Sequence, residues 1–198
     1  KQLKPVNSFS DFALFVSFFP QLVAGPIVRA SYFIPQLAHN HEVTAKEQQQ
    51  AGWLILRGLV KKLLLADVLA LHLVDPAFAD YQQNSGGFLL LALIGYSFQV
   101  YLDFSAYTDI ASGCARLFGY QLPQNFNRPY LASSVSDFWQ RWHISMSSFF
   151  RDYLYHAIGG SKYGNVYLNL VITFTAIGLW HGAGWTFVLY GFCHGLLV

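Results

Sequence analysis

The chain has 198 residues and a formal charge of +2; 54% of its residues are apolar and only 11% charged, against about 25% charged in ordinary soluble domains. A chain this poor in charge cannot coat a compact water-soluble globule, and its few cations form no basic stripe, so nucleic acid is excluded as a partner. A soluble domain with an aromatic-rich core competes with a multi-pass membrane protein, and composition favours the membrane protein. Three uncharged stretches approach the roughly 20 residues a helix needs to span a bilayer. They are Phe12 to Val28, Tyr81 to Leu102, and Tyr163 to Val198, the last long enough for two spans with a turn near Gly182-Ala183-Gly184. The chain opens at Lys1 without Met or a signal peptide and stops inside an apolar run, so it is expected to be an interior portion of a longer protein.

Taken in order, Phe9 to Ile27 reads as a helix that Pro20 must kink or end, followed by the breaker Ala24-Gly25-Pro26. Ala30 to Gln50 is polar and is expected to be a membrane-surface loop; its His39-Asn40-His41 is a weak metal pattern, and nothing else suggests a metal. Gly52 to Leu73 is helical, with Arg57 and Lys61 on one face at i,i+4 and Lys62 beside them. Those cations either snorkel from an interfacial helix or face a wet cavity.

An apolar helix is expected from Phe88 to Leu102, after which Asp103 to Asp109 inserts two carboxylates among hydroxyls. Buried carboxylates need partners, so Asp103 and Asp109 are expected to be structural. Gln121 to Tyr130, with Pro123, Asn125, Asn127 and Pro129, reads as an ordered non-helical loop. Ser136 to Ile158 reads as one amphipathic helix ended by Gly159-Gly160, with His143, Ser147 and Arg151 sharing a face and Asp137 within reach of Arg141. Its His143 face should meet a cavity and its Phe149 face other helices. Five or six helical segments and an all-α fold follow, without a β-sheet of consequence.

Two histidines stand out, His143 in Trp139-Gln140-Arg141-Trp142-His143 and His181 in Trp180-His181-Gly182. An ionisable group inside an apolar layer is costly and therefore a functional candidate. Trp139, Trp142 and Trp180 can wall a water-poor cavity and donate their indole N–H. A neutral imidazole can remove the proton of an acceptor hydroxyl as it attacks an activated acyl group. A second histidine can orient that acceptor or stabilise the oxyanion. Two satisfied histidines bridging helices remain the alternative on spacing alone. His72, His156 and His194 have plain readings as hydrogen-bonded or interfacial residues, His194 the least safely. Cys114 and Cys193 make no metal spacing and no disulfide framework. Either is a conceivable acyl carrier, but buried thiols more commonly pack as small hydrophobes.

Several segments resemble signatures of the membrane-bound O-acyltransferase family: Phe19 to Ile27, Gly58-Leu59-Val60-Lys61-Lys62, Tyr101 to Asp109, and Asn125-Phe126-Asn127-Arg128-Pro129-Tyr130. Phe138 to Tyr155 is similar to the branch that acetylates alginate and other bacterial polysaccharides, and Trp180-His181-Gly182 to the family's catalytic histidine motif. The resemblance implies that His181 is the active-site histidine and His143 the second position of the pair. It implies substrate-binding roles for Trp139, Trp142, Trp180, Asn127 and Arg151, with Asp103, Asp109, Arg141 and Asp152 as structural support. It further implies helices around a tunnel in a bacterial inner membrane, of which this chain is one segment of the catalytic core lacking N- and C-terminal spans. No bound cofactor is implied. The acyl donor, acetyl-CoA or another acyl thioester, would enter from the cytoplasm. The acceptor, a cell-surface polysaccharide, would be reached from the other side, through an extracytoplasmic acyltransferase or polysaccharide partner. A proton- or ion-coupled transporter lined by Asp103, Asp109 and His181 is the rival from another class. It would be expected to show inverted repeats and paired broken helices, and the sequence shows none.

Overall fold

The computed structural model describes residues 8–22, 25–38 and 42–198, so His39-Asn40-His41 lies outside the described residues. The described residues are helical, with no strand among them, and the chain divides into two units, Lys1–Pro123 and Gln124–Val198.

In the first unit, Ser8 caps α1 (Phe9–Ser17) by accepting the Asp11 N–H. The helix ends there and resumes as α2 (Phe19–Leu22) around Pro20, as the missing proline donor requires. The expected surface loop over 30–50 is instead largely helical, as α3 (Ala30–Leu37) and the start of α4 (Ala45–Leu59). Aromatic burial decides this: Phe33 is fully buried, its ring 4.7 Å from Phe18 and 5.2 Å from Tyr120. Thr44 and Glu47 then form a reciprocal capping box that starts α4. The described residues thus form more helical segments than the five or six expected.

From α4 the chain stays helical through a π-helical stretch (Val60–Ala66), α5 (Asp67–Leu69), a second π-helical stretch (Ala70–Val74) and α6 (Asp75–Ala79). Against it packs α7 (Gly86–Leu117), a helix of 32 residues capped by Ser85. The expected helix end at Leu102 is not observed, because the carboxylates that follow are neutralised within the unit. Asp109 takes Arg57 at 2.5 Å and Lys61 at 2.8 Å, and Asp103 takes Lys62 at 2.6 Å. The cations of α4 and the first π-helical stretch reach carboxylates on α7, and Arg57, its side chain 57% exposed, also lines an open pocket with Trp53 and Arg116. Small residues let the helices approach: a Cβ on Gly58 would stand 2.7 Å from the Ala106 carbonyl oxygen. Among the described residues, α7 is the one helix long and apolar enough to cross a membrane.

In the second unit, the loop from Gln124 gives one 3₁₀ turn (Pro129–Leu131) and leads to α8 (Val135–Arg141). The single helix expected over Ser136 to Ile158 is broken into α8, α9 (Ile144–Phe150) and a π-helical turn (Arg151–Tyr155). Part of the expected face survives the break, since the Ser147 N–H still reaches the His143 carbonyl at 3.0 Å. Gly159 and Gly160, both at positive φ, terminate this segment. Two apolar helices follow, α10 (Val166–His181), capped by Asn165, and α11 (Trp185–Leu197). Gly182-Ala183-Gly184 folds α11 back on α10. Contact is close enough that a Cβ at Gly178 would collide with the Phe187 carbonyl, and one at Gly191 with the Phe174 carbonyl, the small-residue packing typical of apolar helix pairs.

Candidate active site

The break between α8 and α9 is built by its own residues. Trp142 is extended (φ −104°, ψ 128°), and His143 takes the left-handed conformation (φ 45°, ψ 52°). Such a backbone is uncommon for a residue with a side chain and costs on the order of 1–3 kcal/mol. The loop at Asn125 holds it in place. The Asn125 carbonyl accepts the Ile144 N–H at 2.9 Å, and its side-chain Oδ1 accepts the Ser145 N–H at 3.2 Å and the Ser145 hydroxyl at 2.8 Å. The Asn127 N–H donates to the Arg141 carbonyl at 2.9 Å.

His143 itself is 4% exposed, and its Nδ1 lies 3.2 Å from Asn125 Oδ1. It sits outside the long apolar helices. Burial, aided by the neighbouring His181, holds its imidazolium down to about 4, so the ring is neutral at pH 7.

Aromatic rings connect His143 to His181 and beyond. Trp180 lies 6.3 Å from His143 and 5.0 Å from His181, centroid to centroid. Tyr190 continues the series at 6.5 Å from His181 and 4.5 Å from His194. Trp139, buried, donates its indole N–H to His194 Nδ1 at 3.3 Å. His181, the last residue of α10, is exposed. The structure thus gathers His143, Trp139, Trp180 and His181 and adds Tyr190 and His194, which sequence reasoning did not place there. Counted along one helix, His194 lies far from His181; the turn at Gly182 to Gly184 is the signal that brings α11 back.

The other expected residues fall elsewhere. Trp142 stacks on Phe138 (5.5 Å) with Phe126 at 5.1 Å, an aromatic support beneath the kink. Arg151 pairs with Asp152 at 3.0 Å and lines, with Trp139, Ser147 and Tyr155, a cleft of about 650 Å³. Asn127 is exposed. Arg141 pairs with Asp137 at 2.6 Å, as the i,i+4 spacing predicts; that bond holds the Asp137 carboxylate below its ordinary range. Asp152 also lies 4.0 Å from His156. Cys114 is half-buried and Cys193 is exposed on α11, contrary to a uniformly buried pair of thiols.

The chain thus combines an apolar helix of membrane length with a buried histidine beside a tryptophan that also neighbours a second histidine. The chain belongs to the membrane-bound O-acyltransferase family, whose model matches residues 3–198, and a membrane location follows from that membership. It is 43% identical over 195 residues to the peptidoglycan O-acetyltransferase of Helicobacter pylori, covering 96% of this chain and 37% of that protein. It is 41% identical over 187 residues to the probable alginate O-acetylase of Azotobacter vinelandii, covering 93% of this chain and 37% of that protein. With the teichoic acid D-alanyltransferase of Streptococcus thermophilus it shares 29% identity over 204 residues, covering 96% of this chain and 49% of that protein. The chain therefore spans little more than a third of the length of the first two relatives.

Proposed function

We propose that the protein containing this chain is a bacterial inner-membrane O-acyltransferase that moves an acetyl or similar short acyl group toward hydroxyls of a cell-surface polysaccharide. The observation that carries the reading is the neutral, buried His143 joined through Trp180 to His181, in a chain of this family. His181 acts as the base. The acceptor hydroxyl oxygen adds to the acyl carbonyl carbon while its proton passes to His181; the carbon–sulfur bond of an acyl thioester such as acetyl-CoA then breaks, and the proton leaves with the thiol. His143 holds the acceptor in register. Trp139, Trp180 and Arg151 contact substrate, with Trp142 and Asn127 bracing or extending that surface, and Asp103, Asp109, Arg141 and Asp152 are structural. Both units belong to one segment of the catalytic core, in a multi-pass assembly around a tunnel. The donor enters from the cytoplasm, and the acceptor or a partner acyltransferase is met on the far side.

The test is transfer of radiolabelled acetyl groups by membranes carrying the full-length protein. His181→Ala is expected to leave membrane abundance unchanged and to lower transfer by about 100-fold or more. Substantial transfer by that variant, or solute movement without ester formation, overturns the reading in favour of a carrier.

A further inference from the structure

The orientation of the Asn125 side chain is fixed by an atom that has no choice. The Ser145 backbone N–H can only donate, and it points at 3.2 Å to the side-chain oxygen of Asn125; a flipped amide would set two donors against each other. Asn125 is 1% exposed, and its Nδ2 has no hydrogen-bond partner among the described residues, so no competing bond pulls the amide the other way. The same oxygen lies 3.2 Å from His143 Nδ1. An oxygen that can only accept requires a donor there, which places the proton of the neutral ring on Nδ1 and the lone pair on Nε2.

We infer that Asn125 is a positioning residue that locks His143 in its Nδ1–H form, so that His143 meets the acceptor through a lone pair on Nε2. This rests on the acyltransferase reading and decides between the two tasks open to the second histidine. A neutral ring with its proton on Nδ1 can accept a hydrogen bond from a substrate hydroxyl and orient it. It has no Nε2 proton to offer an oxyanion. His143 therefore orients the nucleophile, and oxyanion stabilisation falls to other donors. The left-handed backbone at His143 serves the same end. It turns the ring toward the Asn125 loop while the amides of Ile144 and Ser145 are tied to that residue's two oxygens.

The test uses full-length protein labelled with ¹⁵N-histidine, with the His143 signals assigned by their disappearance in His143→Gln. At neutral pH the wild type is expected to show a protonated Nδ1 and an unprotonated Nε2. Asn125→Asp keeps an acceptor oxygen for both Ser145 and His143 and is expected to keep the tautomer and most of the transfer. Asn125→Leu removes the acceptor at similar volume. It is expected to move the proton to Nε2 in part or whole and to lower kcat by roughly tenfold or more at normal abundance. Should Asn125→Leu fail to accumulate, the wild type and Asn125→Asp still decide the matter. An Nε2–H tautomer in the wild type, or an Nδ1–H tautomer unchanged in Asn125→Leu, overturns the inference. The tautomer is read without any turnover. A wild type that shows Nδ1–H yet transfers no acyl group would therefore sink the acyltransferase reading and leave the positioning role of Asn125 intact.

Discussion

In the first unit, polar groups within an apolar chain are satisfied by charge: Arg57 and Lys61 converge on Asp109, and Lys62 on Asp103. In the second, the side-chain oxygen of Asn125 meets His143 and Ser145 through neutral hydrogen bonds around a strained backbone. With Lys62 also bonded to Asp67, three cations meet three carboxylates, and the first arrangement reads as a brace between α4 and α7. The second fixes an imidazole through one of its nitrogens, Nδ1, beside the Asn125 oxygen. Pairing charges ties helices together in an apolar setting, while a neutral hydrogen bond orients a ring without adding charge. Strain at His143 fits that division, because sparsely populated backbone conformations persist where the surroundings over-determine them and cluster at functional sites.

The largest effect separating the two regions is expected at Asp109. Its removal leaves two cations without their shared partner, and Asp109→Ala should cost about 2–3 kcal/mol, less than a fully buried pair because the Arg57 side chain is 57% exposed. Thermal unfolding of the full-length protein in detergent measures this, and transfer per surviving molecule should stay near wild type. An Asp109→Asn protein with normal abundance and no transfer would move Asp109 out of the brace and into the reaction.

A smaller effect is expected at His143. Both His143→Gly and His143→Ala lose the ring, so their transfer should fall alike. Glycine accepts φ 45° without the steric penalty of a Cβ, so the glycine variant should be the more stable by about 1 kcal/mol. Equal stabilities would show that the left-handed backbone relaxes once the ring is gone.

The smallest effect is expected at Asp137, a half-buried carboxylate bonded to Arg141 and to the Ser133 N–H. Its contribution is present above the ordinary carboxylate range and fades as pH falls through its lowered value. Single i,i+4 pairs that stay partly in solvent contribute little, so Asp137→Asn should match wild type in abundance and transfer at pH 7. A marked loss of transfer would tie α8 more tightly to the site than its geometry suggests.

The sequence alone determined the helical class, the breaks at Pro20 and Gly182 to Gly184 and the Asp137–Arg141 pair, because each rests on local rules. Proline lacks a donor, glycine tolerates unusual backbone, and residues four apart on a helix are neighbours. Tertiary structure decided what those rules cannot reach. Helix α3 forms where composition reads as loop, because Phe33 finds Phe18 and Tyr120. The carboxylates of α7 do not end it, because cations from the preceding helical segment answer them. The helix expected across His143 breaks there, because the oxygens of Asn125, eighteen residues earlier, capture the amides after the kink. Tyr190 and His194 join the ring series because α11 folds back on α10. Helical periodicity describes a residue's neighbours along its own helix, and the partners that set these four outcomes come from other segments of the chain.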